Sequence, residues 1–127
     1  MIKNGAEYYS DEYAVLDADG FLHPYPKMLS MRGIINEYDQ VDMPPDDFGA
    51  KTGKKKIPVK LILITEFEIG TQWKPKILNS GEGIMEILQH TIPIRLNPEF
   101  VLKVLKKTAS RAIIAKGKRG EAKLTIP

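Results

Sequence analysis

Two acidic residues near the start of the chain, Asp11 and Glu12, have the types and placement that phosphoryl-transfer chemistry requires. They follow a predicted short strand over residues 7–10, which itself comes after Gly5. Carboxylates at the end of a strand commonly bind Mg²⁺, which prefers oxygen ligands, or accept a proton from an attacking hydroxyl. Two adjacent acids that leave a strand are also typical of a solvated turn, and both interpretations stay open at this point.

Basic residues that could contact a phosphate occur in two places. Arg32 precedes Gly33, and its planar guanidinium can neutralise charge on a phosphoryl group; a surface arginine beside a turn glycine is the alternative. Residues 49–55 (GAKTGKK) imitate a phosphate-binding loop, but the spacer is one residue short and Lys55 stands in place of the hydroxyl. This segment is therefore predicted to be a mobile basic loop. Its clustered lysines, Lys54 among them, attract anions, so a phosphate-binding role stays open.

Transition-metal and thiol chemistry have little support. The chain has no Cys, which excludes disulfides and thiolate metal sites. The two histidines, His23 and His90, have no further His or Cys at ligand spacing, which argues against a zinc-type site. His90 falls at the end of a predicted helix, where a cation suits the helix dipole, and is predicted to be structural.

The bulk composition indicates a single domain of 127 residues. A net charge of +3 without a concentrated basic patch argues against nucleic-acid binding. The longest apolar run, residues 61–64, is far too short to span a bilayer, and the polar start does not resemble a signal peptide. We therefore expect a cytoplasmic protein that binds neither nucleic acid nor membrane.

Short strands and a turn are predicted around the acidic pair. Residues 1–6 are expected to end a helix at Gly5, and residues 13–17 and 21–23 to form a hairpin across Asp17–Gly20, since Asp and Gly tolerate turn dihedrals. Residues 36–56 are predicted to be a long, exposed, flexible loop. Residues 57–66 are the clearest strand, and their apolar character on both faces favours a central position in a sheet.

Two helices and a hairpin are predicted for the second half. Ser80 is a candidate cap for the first helix, and Asn97 followed by Pro98 begins the second. A strand over residues 73–78 precedes them, and strands over 112–115 and 122–126 follow across a turn at residues 117–120. This order predicts a mixed α+β fold, with a mixed sheet and two C-terminal helices.

The motifs together resemble HPr kinase/phosphorylase and the wider group of HPr kinase-related proteins. Members have a P-loop, a helix, and then a glycine-rich turn, a strand and a pair of acids, and residues 5–12 (GAEYYSDE) match the last three. Residues 29–35 (LSMRGII) resemble the family's arginine–glycine segment, and residues 48–50 (FGA) the start of its flexible loop. Residues 23–27 (HPYPK) and 78–92 are similar to the related kinases, so the resemblance covers most of the chain.

The resemblance implies an ATP-dependent protein-serine phosphotransferase with a partial phosphoenolpyruvate-carboxykinase-like fold, and Mg²⁺ and ATP as cofactors. Carried over by position, Asp11 would take the proton of the acceptor hydroxyl, and Arg32 would stabilise the transferred phosphoryl group. Glu12 stands where the family often has a second Asp, and it is the expected metal ligand. An HPr-like phosphocarrier protein is the implied partner.

The P-loop itself has no counterpart here, because Met1 falls where the P-loop helix should be ending. Since phosphoryl transfer depends on positioning and charge stabilisation, the leading hypothesis is an HPr kinase-like domain that is inactive alone, whether a remnant, a completing subunit or a truncated reading frame. One alternative is a phosphotransferase completed by a P-loop-bearing chain. Another is a binding or regulatory module for a phosphocarrier protein or an anion. The missing strand would leave a sheet edge uncovered, which favours a homo-oligomer or such a partner.

Overall fold

The structure is a computed structural model that describes residues 1–36 and 38–121. It confirms a mixed α+β fold, with four small sheets and two α-helices among those residues. The chain divides into two compact units: residues 1–16 with 22–57, and residues 17–21 with those from Pro58 onward.

Short strands make up most of the regular structure up to residue 58. In chain order, the strands up to residue 58 are β1 (Glu7–Tyr8), β2 (Val15–Leu16), β3 (Phe21–His23), β4 (Leu29–Arg32), β5 (Gln40–Met43), β6 (Lys51–Thr52) and β7 (Ile57–Pro58). Strand β1 pairs in parallel with β6, and β4 pairs antiparallel with β5. Strands β2, β3 and β7 form a three-stranded sheet in that order. This part of the chain therefore contains three separate small sheets.

The hairpin across Asp17 and Gly20 is confirmed. Strands β2 and β3 pair antiparallel, and the carboxylate of Asp17 accepts the N–H groups of Asp19 and Phe21, each at 3.0 Å. Gly20 has a φ of +76°, in the left-handed region that glycine tolerates. The 3-10 turn Ile2–Asn4 likewise ends at a left-handed glycine, as expected from the sequence.

Residues 36–56 contain more regular structure than the sequence indicates. Strands β5 and β6 lie in this segment, with the 3-10 turn Pro45–Phe48 between them. Gly49 closes this turn at a φ of +68°, and its N–H bonds to the carbonyls of Asp46 and Pro45. The pairing of β6 with β1 could not be expected from a polar sequence of two residues.

The sheet of the second unit contains β8 (Leu61–Phe67), β9 (Lys76–Leu78) and β10 (Ile113–Arg119) in the order β8–β10–β9. Strand β10 is parallel to β8 and antiparallel to β9. The prediction that residues 57–66 form a central strand is therefore wrong, because β8 lies at the edge of the sheet formed by the described strands. Its apolar residues face out on one side, where Leu61 is 55% exposed and Leu63 is 48% exposed.

Both helices are confirmed, as α1 (Ser80–Leu88) and α2 (Pro98–Ala109). Asn97 caps α2 as predicted, since its side chain accepts the N–H of Phe100 at 3.2 Å. The cap of α1 is Asn79 rather than Ser80. Asn79 and Glu82 form a capping box, in which each side chain accepts the backbone N–H of the other residue, at 2.9 and 3.1 Å.

The buried side chains of the second unit lie on α2 and on β10. These core side chains are those of Val101, Val104, Leu105, Thr108, Ala109, Ile114 and Ala115. The hydroxyl of Thr108 donates to the Val104 carbonyl at 3.0 Å, so the one buried polar side chain described in this core is satisfied. Helix α1 approaches the same strand at Gly83, which packs directly on Ile114. No helix in the described part of the chain is long and apolar enough to cross a membrane.

The predicted turn at residues 117–120 is wrong, because β10 continues through Gly117 to Arg119. Gly117 instead lies close to Trp73 and Pro75, where a Cβ atom would come within 3.2 Å of the indole and 3.1 Å of the proline Cα. The glycine therefore serves close packing inside a strand. The strand predicted over residues 122–126 lies outside the described residues.

Candidate functional site

The carboxylates of Asp11 and Glu12 lie in a turn that follows β1, in the first unit. The hydroxyl of Ser10 donates to the carbonyl of Tyr13, and this bond closes the turn. Oδ2 of Asp11 accepts the backbone N–H of Ser30, on β4, at 3.3 Å. Asp11 is thereby held against β4 while its side chain stays open to solvent.

Ser30 lies between two carboxylates. Its N–H donates to Asp11, and its hydroxyl donates to Oδ1 of Asp42 at 2.7 Å. Asp42 is the residue of β5 that pairs with Ser30 across the two strands. Neither Ser30 nor Asp42 was singled out from the sequence as a site residue, because only the pairing register brings them together. The group Asp11, Ser30 and Asp42 is a connected polar cluster on the surface.

Arg32 lies on the same strand as Ser30, two residues further along, and pairs with Gln40 of β5. Residues two apart on a strand share a face and lie roughly 7 Å apart. The guanidinium is exposed and makes no hydrogen bond or ion pair with any residue that the structure describes. Asp11 therefore contacts β4 through Ser30, and Arg32 lies on β4, but the two side chains do not contact each other.

Glu12 makes an ion pair with Lys27, with 3.2 Å between Oε2 and Nζ. The hydrogen bond to Glu12, together with its negative charge, raises the pKa of Lys27 above its ordinary value. A metal ion at Glu12 would have to displace this ammonium group. Over residues 1–36 and 38–121, no group of three or more His, Asp or Glu side chains is arranged to hold a metal ion.

The lysine-rich segment after β6 is fastened to β1 and to the residue that follows β1. Thr52 pairs with Tyr8, and the N–H of Gly53 donates to the Tyr8 carbonyl at 2.9 Å. The phenol of Tyr9 donates to the carbonyl of Lys55 at 2.8 Å. Gly53 leaves no room for a Cβ atom against the Tyr9 ring. The segment therefore has a defined path across this tyrosine.

An open cavity of about 750 Å³ lies beside this segment in the first unit. Its wall includes Lys51, Lys54, Lys55, the ring of Tyr9 and two acids, Glu7 and Asp46. Three ammonium groups against two carboxylates give the wall an excess of positive charge. Lys54, the phosphate-binding candidate from the sequence, thus lies at a cavity with a charge suited to an anion.

Tyr8 anchors the segment that precedes β4. Its side chain is 6% exposed, and its phenol donates to the Lys27 carbonyl at 2.8 Å. Burial, and then the charge of Asp11, raises the pKa of this phenol. The next residue, Tyr9, accepts the N–H of Tyr25 at 2.8 Å through its carbonyl. Two adjacent tyrosines therefore connect the acidic turn, residues 25–27 and the lysine segment.

No protein-family model, no curated protein and no solved structure matches this chain. A family assignment therefore rests only on the motifs over residues 5–12 and 29–35. The arrangement of side chains around β1 and β4 contains carboxylates, an arginine and lysines, which are the side chains that phosphoryl transfer uses to accept a proton and to neutralise phosphate charge.

Proposed function

We propose that this chain is an HPr kinase-like domain that supplies the carboxylate side of a phosphoryl-transfer site and is inactive alone as an ATP-dependent protein phosphotransferase. The observation that supports this most is the connection made by Tyr8 and Tyr9. Tyr8 and Tyr9 hold the lysine segment through Gly53 and Lys55, and the Asp11 turn follows these two tyrosines directly in the chain. A phosphate and its acceptor hydroxyl need this combination of charges near each other.

In this proposal Asp11 accepts the proton of the acceptor hydroxyl. The N–H of Ser30 orients the Asp11 carboxylate. Asp42 accepts a hydrogen bond from the Ser30 hydroxyl, so this hydroxyl does not compete with the N–H for the Asp11 oxygen. Arg32 stabilises charge on the phosphoryl group, because a guanidinium presents several donors in one plane. Lys54, with Lys51 and Lys55, binds phosphate in the cavity beside Tyr9, whose wall does not include Asp11 or Arg32.

The residues present do not fit a complete Mg²⁺–ATP site. The sequence contains no G-x-x-x-x-G-K-S/T pattern, and Glu12, the proposed metal ligand, has its charge neutralised by Lys27. No step is therefore assigned to bound nucleotide in this chain. In the same proposal, the domain has a partial phosphoenolpyruvate-carboxykinase-like fold and the protein is cytoplasmic.

A second candidate function is a non-catalytic module that binds a phosphocarrier protein or an anion. The cavity beside Tyr9 favours it, because three lysines line an opening large enough for a phosphorylated group. The two functions differ in whether Asp11 matters. A binding module needs Lys54 but not the carboxylate, whereas a phosphotransferase completed by a P-loop-bearing chain needs both.

Phosphate binding can be measured by calorimetry with pyrophosphate as the probe. Lys54→Ala should weaken binding severalfold, because it removes one of three cations at the cavity. Lys106→Ala removes the same charge from the exposed side of α2 and is the matched control. Equal affinities for the two variants, or no binding of pyrophosphate at low salt, would exclude the anion site.

Phosphotransfer is tested by mixing the chain with Mg²⁺–ATP, an HPr-like carrier and a P-loop-bearing HPr kinase that lacks its own catalytic carboxylate. We expect no phosphoserine from this chain alone, and carrier phosphorylation when both proteins are present. Asp11→Asn should abolish that activity, whereas Asp47→Asn, at another exposed carboxylate of the first unit, should retain it. Turnover by this chain alone would contradict the proposal. If the mixture is inactive but the carrier still binds in a Lys54-dependent manner, the non-catalytic module is the better description.

A further inference from the structure

Strand β8 has one strand neighbour, β10, within the described part of the chain. The Ile113 N–H donates to the Lys60 carbonyl at 2.9 Å, and the Glu68 N–H donates to the Arg119 carbonyl at 3.0 Å. The N–H and carbonyl groups of successive residues point to opposite sides of a strand. Those of the even-numbered residues of β8 therefore point toward β10. The N–H and carbonyl groups of Leu61, Leu63 and Thr65 therefore point away from the sheet, at an open edge.

A proline and a bulge, two features by which proteins usually prevent edge pairing, are missing from this edge. Residues 61–67 contain no proline, and the register with β10 is unbroken from Leu61 to Phe67. Leu61, Leu63 and Phe67 are each about half exposed, at 55%, 48% and 50%. A long, regular and apolar edge is a template for pairing with another strand.

We propose that this edge pairs with the same edge of a second copy of the chain, antiparallel and with Leu63 opposite Leu63. In this register Ile62 lies opposite Ile64 on one face, and Lys60 lies opposite Glu66 at each end. Leu61, Leu63 and Thr65 have the outward backbone groups that such pairing requires, and they supply about six hydrogen bonds across the two-fold axis. The strand is thus complementary to itself in both hydrophobicity and charge.

The charges select this register over its neighbours. A shift by one residue is excluded, because each residue whose N–H and carbonyl point toward the second copy would then lie opposite a residue whose N–H and carbonyl point toward β10. Shifting by two residues places Ile62 opposite Glu66 in one direction, and Lys60 opposite Ile64 in the other. The side chains of Lys60 and Glu66 make no hydrogen bond or ion pair with residues 1–36 or 38–121, so both charged groups are available to the second copy; the Glu66 carboxylate also lies near the charge of Lys118.

The dimer is tested by sedimentation velocity over a range of concentrations up to about 100 µM. Wild-type protein should show a concentration-dependent dimer. Lys60→Glu and Glu66→Lys should each raise its dissociation constant roughly tenfold, since each reversal creates two like-charged pairs. The double variant K60E/E66K should restore dimerisation. All these changes are on exposed side chains, and circular dichroism checks that the fold is retained.

A cross-linking experiment tests the register itself. The chain has no native cysteine, so Leu63→Cys places the only thiol at the proposed two-fold axis. Mild oxidation should give a covalent dimer rapidly. Ile77→Cys, at an exposed position on β9, is the control and should cross-link slowly. A monomer at all concentrations, a dimer indifferent to both charge reversals, or equal cross-linking at positions 63 and 77 would each overturn the proposal.

Discussion

Gly53 lies against the ring of Tyr9 so closely that a Cβ atom at position 53 would overlap the aromatic carbons. The same ring carries the hydroxyl that donates to the Lys55 carbonyl at 2.8 Å. The ring orientation that makes this hydrogen bond is therefore available only while residue 53 has no side chain. Two adjacent features, a missing Cβ and one hydrogen bond, fix the lysine segment that lines the cavity.

Gly53→Ala should force the Tyr9 ring aside and break its bond to Lys55. We expect each of Gly53→Ala and Tyr9→Phe to lower the free energy of unfolding by about 1 kcal/mol, the usual net contribution of one hydrogen bond. The double variant should lose clearly less than the sum, because both changes remove the same interaction. Urea denaturation measures all four proteins, and strict additivity would show that the glycine and the hydroxyl act separately.

Helix α1 offers a matched pair of glycines. Gly83 packs on Ile114, where an added Cβ would be 3.3 Å from the isoleucine Cβ and closer still to its methyl groups, so Gly83→Ala should cost about 1–3 kcal/mol. Gly81 meets only its capping residue at 3.4 Å, so Gly81→Ala should stabilise the protein by roughly 0.5–1 kcal/mol. Thermal unfolding measures both changes in stability: the unfolding temperature should fall for Gly83→Ala and rise for Gly81→Ala. A destabilising Gly81→Ala would mean that the first turn of α1 has less space than the structure shows.

The hairpin tip depends on Gly20. A side chain there would need a left-handed backbone at a φ of +76° and would come within 2.6 Å of the Thr108 hydroxyl. Gly20→Ala should therefore destabilise the protein by about 2 kcal/mol or more. Asp19→Asn, next to it, removes an exposed ion pair with Lys107 and should have little effect. Similar losses in the two variants, measured by urea denaturation, would contradict this account.

The capping box of α1 makes stability depend on acidic pH. The backbone N–H of Asn79, and secondly the ammonium of Lys76, lower the pKa of Glu82 from its ordinary value of 4.5. Since the pKa is lower in the folded protein than in the unfolded chain, the carboxylate stabilises the fold fully above pH 4.5, and this contribution is lost as the pH falls through the folded pKa.

Glu82→Gln should flatten the dependence of stability on pH in that window while leaving the capping bond from its own N–H intact. Chemical denaturation at several values between about pH 6 and pH 3 measures the difference. Parallel curves for the wild type and Glu82→Gln would show that other carboxylates determine the acid sensitivity.

Several elements could be predicted because the residues that form them are neighbours in the chain. Asn97 and Pro98 supply a cap and a first helical residue, and both act on backbone groups within one turn. The turn at Asp17 and Gly20 works in the same way, since its hydrogen bonds span four residues. The cap of α1 also has a local sequence pattern: Glu82 is three residues after Asn79, which is the spacing of a capping box.

Other features depend on which strands become neighbours, and the sequence carries no comparable signal for that. An apolar run such as residues 61–64 suits a covered central strand, yet among the three described strands of this sheet β10 is central and β8 lies at the edge. Gly117 looks like a turn residue until its contacts with Trp73 and Pro75 are known. Within the candidate site, Asp11 and Arg32 were identified from motifs, whereas Ser30 and Asp42 require the register of β4 and β5.

The position of β10 between β8 and β9 has a consequence during synthesis. Strand β8 ends at Phe67, but the strand that pairs with it begins only at Ile113. A ribosome needs several seconds to add the residues between them. For that time the nascent chain presents two strands without their common neighbour, including the apolar residues of β8. Folding of this unit should therefore wait for the emergence of β10, and chaperone contact is expected during that interval.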